Sequence, residues 1–267
     1  MGIGVKIAAD WHAALAALAW QVDLGVDEVI GDSPIDRYEL PETTKPAPTP
    51  ARAAAPAPVV FEAPQIDPVE VARGLAARAT SLDALRDGLV SFDLCDLKKG
   101  ARNTVFADGN PAARVLILGE APGLEEDREG RPFVGRAGQL LDRMFAAIGL
   151  SRTSPDPEAA LYITNVMPWR PPGNRDPEPA EIAMMRPFVE RHIALMDPDV
   201  IVVMGNTPLF ALTGQKGILR ARGTWSKALD RPLLPMVHPA YLLRNPIAKR
   251  EAWADLLSLQ AHLRAKV

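Results

Sequence analysis

Three side chains able to do acid-base or hydrogen-bonding chemistry sit where short apolar runs end. Glu120 follows RVLILG (114–119), Asn165 falls in LYITNV (161–166) and His238 closes PLLPMVH (232–238). A fourth run, DVIVVMG (199–205), ends in Gly205. An amide presents a donor and an acceptor side by side, an imidazole donates or accepts near neutral pH, and a carboxylate stabilises developing positive charge or takes a proton from water. Singly, each has a structural alternative: Asn165 capping a turn, His238 satisfied and buried before Pro239, Glu120 bonding loop amides. Taken together, at the ends of successive apolar runs, they point to a site.

The elements that must carry them alternate regularly. After 114–119 comes a helical stretch, GQLLDRMFAAIGL, that stops at Gly149; after 161–166 a helix is expected over 178–196; after 199–205 a short one around Leu209; and a last one over about 248–265 closes the chain. Runs that are apolar throughout and alternate with helices predict a parallel sheet covered on both faces, a doubly wound α/β/α sandwich. In such sheets ligands bind outside the carboxyl ends of the strands, where Glu120, Asn165, Gly205 and His238 fall.

The first part of the chain reads differently. Seven of the 26 prolines and seven alanines fall within residues 41–64, a composition that favours an extended tether over helix or sheet. The expected organisation is an N-terminal helical extension at 1–40, a Pro/Ala-rich linker at 41–65 and a catalytic domain at 66–267. Asp10 precedes an amphipathic stretch with Trp11, Leu15, Leu18 and Val22 at helical spacing, read either as a segment packing on the main domain or as a docking helix for a partner protein. DPVE at 67–70 predicts a helix start with Asp67 as N-cap and Glu70 completing a capping box, and a further helix is expected over 81–90.

Residues 1–89 carry 7 basic and 13 acidic side chains and the remainder 23 and 20, so the two parts hold −6 and +3. That balance permits a local nucleic-acid patch but not a DNA-coating protein. No apolar run reaches the roughly 18 residues of a membrane span, and no basic stretch leads into a signal-type core; the expectation is an intracellular, monomeric protein with no membrane role. The single cysteine, Cys95, excludes an internal disulfide and any site of several cysteine ligands within one chain.

Four segments carry a family resemblance: GEAPGLEEDREGRPFVGRAGQLLD (119–142), YITNVMPWRPPGNRDPEPAEIA (162–183), RG (222–223) and HPAYLLRNP (238–246). In this order they resemble the uracil-DNA glycosylase superfamily, and most nearly its family 4, from about Asp93 to Trp253. The resemblance implies a three-layer α/β/α sandwich with a four-stranded parallel sheet. It also implies base flipping, with uracil-containing DNA as substrate, free uracil as product and base excision repair as the setting. Carried over, Phe133 stacks on the extruded uracil, Asn165 reads its polar edge and His238 faces its O2. The backbone of 119–123, with Ala121 and Gly123, approaches base and sugar, while Leu242, Leu243 and Arg244 enter the duplex or contact phosphates; the alternative for the two leucines is that they start the C-terminal helix and are core.

Two departures stand out. Family 4 holds a [4Fe-4S] cluster on four cysteines, and the matching positions are Phe92, Cys95, Trp169 and Met185. One thiolate cannot hold a cluster that takes four, so no cofactor and no metal are expected, with large apolar side chains filling the volume. The best-known superfamily members place a water-activating Asp where this chain has Ala121; family 4 shares the small residue, with Glu preceding it. The sugar-side group is then Glu120, with Asp127 as second candidate. The expected activity is that of a monofunctional glycosylase hydrolysing the N-glycosidic bond of uracil in DNA. Its rivals are a uracil-DNA binding protein with slow or no turnover and, from the fold alone, a nucleotide or small-molecule enzyme. The last lacks a GxGxxG or P-loop signature.

Overall fold

A computed structural model describes residues 11–25 and 67–265. The expected linker at 41–65 and the Asp10 cap lie outside the described residues. The chain divides into two units, Met1–Phe61 and Glu62–Val267. In the first, the described residues form α1 (Trp11–Asp23), a helix that buries no side chain, with Trp11, Leu15, Leu18, Trp20 and Val22 all exposed.

The second unit opens with α2 (Pro68–Arg78), α3 (Leu82–Ser91) and the short α4 (Leu97–Gly100). Asp67 caps α2 by accepting from the Val69 N–H at 2.8 Å, and Ser81 caps α3 by accepting from the Ala84 N–H at 3.1 Å. Glu70 does not close the expected capping box. Its carboxylate pairs with Arg73 one turn on, the cation three residues away being a better partner than the cap amide.

The rest of the unit alternates: β1 (Ala107–Gly109), β2 (Val115–Gly119), α5 (Leu124–Glu129), α6 (Arg136–Ala146), β3 (Leu161–Asn165), α7 (Pro179–Met196), β4 (Val200–Met204), α8 (Asn206–Thr213), α9 (Ile218–Ala221), β5 (Ser226–Ala228), β6 (Arg231–Met236), α10 (Pro239–Arg244) and α11 (Lys249–Arg264). One sheet of order β1-β3-β2-β4-β6-β5 results. The sheet has six strands where four were expected. The four central ones, β3, β2, β4 and β6, are parallel, and β1 and β5 add antiparallel edges. Both edges are three residues long and read ADG and SKA, too short and too polar to carry a periodic signal.

Successive strand residues point to opposite faces, and both faces are filled. Leu116, Leu118, Tyr162, Ile201 and Val203 pack with α2, α3, α7 and α8, including Leu85, Phe188 and Ile193. Val115, Ile117, Ile163, Val202 and Leu234 pack with Leu141 and Phe145 of α6 and Leu256 and Leu259 of α11. The three layers of the α/β/α sandwich are therefore present. The chain runs from β2 to β3 on one side and then crosses back to β4 on the other. The carboxyl end of β2 thus lies where the strand order reverses, the place such sheets leave open for a ligand.

Candidate active site

Register builds the floor of the crevice. Pairing of β2 with β3 sets Gly119 opposite Asn165, and the Phe133 loop folds over both. A Cβ on Gly119 would lie 2.3 Å from Asn165 Oδ1 and 2.5 Å from the Phe133 ring; any side chain here would fill the slot. Asn165 and Phe133 are buried, and Asn165 Oδ1 has no hydrogen-bond partner. A buried acceptor left unpaired costs about 1–3 kcal/mol, which a donor on a bound molecule would recover.

His238 stands two residues past β6 and caps α10. Its Nδ1 accepts from the Ala240 N–H at 3.1 Å, so the ring proton sits on Nε2 and that nitrogen is a donor. Its ring is stacked towards Phe133, with centroids 5.3 Å apart and planes 28° apart. Desolvation, reinforced by the Arg244 charge, lowers its pKa to about 4, so the imidazole is neutral at pH 7.

The crevice has two lobes. The smaller, about 330 Å³, holds Gly123, Phe133 and Asn165; the larger, about 540 Å³, runs past Thr207, Asp176 and Tyr241. Glu120, Ala121, His238 and Arg244 line both. Glu120 accepts from Thr207 Oγ1 at 2.5 Å. Burial raises its pKa, the Thr207 bond lowers it and the Asp176 charge raises it. The crevice therefore pairs an acceptor and a donor for a flat polar ring with a carboxylate next to them, and Arg244 supplies a cation at the rim.

Glu120, Ala121, Gly123, Phe133, Asn165, His238 and Arg244 come together as the sequence suggested; three residues do not. Asp127 turns away: its Oδ1 accepts from the Arg102 and Asn103 N–H groups at 2.8 and 3.2 Å, tethering a loop. The second carboxylate beside Glu120 is Asp176. Leu242 is buried against Leu140, Val237 and Ala252, so it is core and not a wedge into DNA. Leu243 packs at the margin of the same cluster. The period of α10 explains this: a six-residue helix packed against α6 must turn one face inward, and that face carries Leu242. Glu126 was not foreseen. It accepts from the Gly123, Val134 and Gly135 N–H groups at 3.0, 3.0 and 2.9 Å, stapling the two loops that meet over Gly119; only its spacing three residues after Gly123 hinted at a cap.

The volume that a four-cysteine cluster would take does not fit one. Phe92, Cys95, Trp169 and Met185 are all buried in the core cluster on one face of the sheet. The Phe92 ring meets Phe188 edge-on at 5.7 Å, and Trp169 Nε1 donates to Thr104 Oγ1 at 3.0 Å. Burial raises the Cys95 pKa, the reverse of what a thiolate ligand requires. Among the described residues no group of three or more His, Cys, Asp or Glu side chains could hold a metal ion. No helix among them is long and apolar enough to cross a membrane.

The model of the Uracil DNA glycosylase superfamily matches residues 106–257. A type-4 uracil-DNA glycosylase of Sulfurisphaera tokodaii is 39% identical over 176 residues, covering 62% of this chain and 77% of that protein. One of Thermotoga maritima is 42% identical over 154 residues, 57% of this chain and 77% of its own. One of Archaeoglobus fulgidus is 36% identical over 186 residues, 66% and 89% respectively.

Proposed function

The chain belongs to the uracil DNA glycosylase superfamily, and we propose that it is a uracil-DNA glycosylase of the type-4 kind that removes uracil from DNA in base excision repair. The reading is carried by one juxtaposition: an unpaired buried acceptor on Asn165, a neutral donor on His238 Nε2 and the Phe133 ring, all on one slot that Gly119 keeps open. Uracil has the complementary groups. Its N3–H donates to Asn165 Oδ1, its O2 accepts from His238 Nε2, and its ring lies on Phe133 once the nucleotide has left the stack.

The reaction is hydrolysis of the bond between sugar C1′ and uracil N1. As that bond breaks its electron pair goes to the base, and the sugar becomes an oxocarbenium-like cation. A donor fixed at O2 in a partly dry slot stabilises the departing anion, an interaction worth about 2.7–4 kcal/mol in comparable sites. Being neutral, His238 gives a hydrogen bond without losing its proton. Glu120, in the adjoining lobe, stabilises the cation and accepts a proton from the water whose oxygen bonds to C1′; its raised pKa suits it to that task. The proton that Glu120 takes from water is returned through solvent to the uracil anion, so the OH ends on C1′ and the H on the base; because water and no enzyme amine attacks the sugar, the abasic strand stays uncut and the enzyme is monofunctional.

The activity runs without a cofactor, because aromatic and thioether side chains fill the volume of the cluster and supply its cross-link by packing. The protein acts as a monomer on DNA inside the cell, with Arg244 contacting phosphate at the crevice rim, and α1 is left to a protein partner. Incubation with a uracil-containing oligonucleotide followed by hot alkali tests the activity. A strand cut at uracil is expected; a retarded but intact strand would instead establish the binding protein without turnover.

A further inference from the structure

Phe133 holds a backbone conformation that a bulky side chain avoids, with φ at 54°. The reason such strain persists is normally that neighbours over-determine it, and here the neighbours are visible. From the opposite side of the loop comes Arg152, nineteen residues on in sequence, outside the segments that carry the family resemblance. Its Nη1 donates to the Pro132 carbonyl at 2.8 Å and its Nη2 to the Phe133 carbonyl at 2.9 Å. The same guanidinium is gripped from behind: Nε donates to Asp142 of α6 at 2.8 Å and Nη1 to Asp108 of β1 at 3.1 Å. Its side chain is only 9% exposed. Four bonds in a fixed planar fork leave it one orientation. Gly138 completes the seat, since a Cβ there would fall 1.7 Å from the Phe133 carbonyl oxygen.

We propose that Arg152 is the positioning residue that holds Phe133 flat against the base. Two carboxylates, one from the edge strand β1 and one from α6, orient the fork; the fork fixes two successive carbonyls; and the carbonyls fix where the Phe133 ring points. The inference rests on the reading that Phe133 stacks on uracil. It adds that the stacking geometry is set from outside the crevice.

A double-mutant cycle separates the two claims. Phe133→Ala is expected to lower kcat/KM between about 5- and 150-fold, the range for losing one base-aromatic stack. Arg152→Lys keeps the charge but cannot make the fork; it is expected to lower kcat/KM about tenfold when residue 133 is Phe and less than twofold when it is Ala. A purely structural Arg152 would lower thermal stability and cost the same factor in both backgrounds, and that result would overturn the inference while leaving the stacking reading intact. An effect below twofold for Phe133→Ala alone would overturn both. Should Arg152→Lys lose its fold, Asp142→Asn loosens the same fork from a half-exposed carboxylate and is read in the same cycle, with the same pair of outcomes.

Discussion

Removing one hydroxyl should move the pH dependence of catalysis without touching the base slot. Thr207, buried at the start of α8, gives Glu120 a 2.5 Å hydrogen bond. A hydrogen bond to a charged group is worth about 1.5–3 kcal/mol, and protonated Glu120 would retain part of it. Thr207→Val therefore raises the Glu120 pKa further, in the direction that burial and Asp176 already push it. Ionised Glu120 is the active form, so the acid limb of kcat/KM moves to higher pH, while the rate on the alkaline plateau changes little. On that limb, losing about 1.5–3 kcal/mol from the ionised form makes the variant up to about 10- to 150-fold slower than wild type at the same pH. His238, lowered to about 4, accepts from the Ala240 N–H and does not bond to Thr207, so its titration does not mimic that movement. The assay is steady-state excision from a uracil-containing oligonucleotide between pH 4.5 and 9, with Thr207→Ser as the restoring variant. A uniform fall at every pH, or a limb that stays in place, would refute the assignment of Glu120.

The remaining expectations are as direct. Leu242→Ala should cost about 2–5 kcal/mol of stability by leaving a cavity and leave oligonucleotide affinity within twofold, read by denaturant unfolding and by titration; the reverse pattern would restore the wedge. His192, wholly buried against Tyr162 and Phe106 with its pKa lowered to about 3, and His238, lowered to about 4, both bind fewer protons folded than unfolded. Stability should therefore fall with pH below about 6.5, by about 2 kcal/mol per histidine at pH 5, less whatever Glu120 and Asp255, shifted the opposite way, give back. Thermal melts of wild type and His192→Gln check this, since the variant loses half the slope. A chain beginning at Ile66 keeps the Asp67 cap and should excise uracil within about twofold of full length; a folded but inactive product would mean that the N-terminal segment completes the site.

The legible parts of the sequence were those with strong period or rigid local chemistry. Four central strands could be read because each is apolar on both faces, and Asn165 and His238 stood out because polar groups rarely end such runs. The edge strands β1 and β5 escaped because three polar residues have no period. Asp127 was expected at the site and Asp176 was missed because sequence does not say which way a loop carboxylate turns: backbone amides at Arg102 and Asn103 claim the first, and the loop after Trp169 places the second on the same crevice as Glu120. Thr207 and Arg152 were invisible for the same reason, their partners lying 87 and 19–20 residues away. Leu242 and Leu243 are neighbours of one type, and only the orientation of α10 decides which is core.

The central claim is that this crevice breaks the glycosidic bond with its own side chains. Free uracil released from a uracil-containing single strand, quantified by mass spectrometry with protein whose iron content has been measured in the same sample, tests it most directly. Multiple equivalents of uracil per protein at negligible iron are expected. A strand that stays whole with stoichiometric protein, or release that tracks iron content, would contradict it.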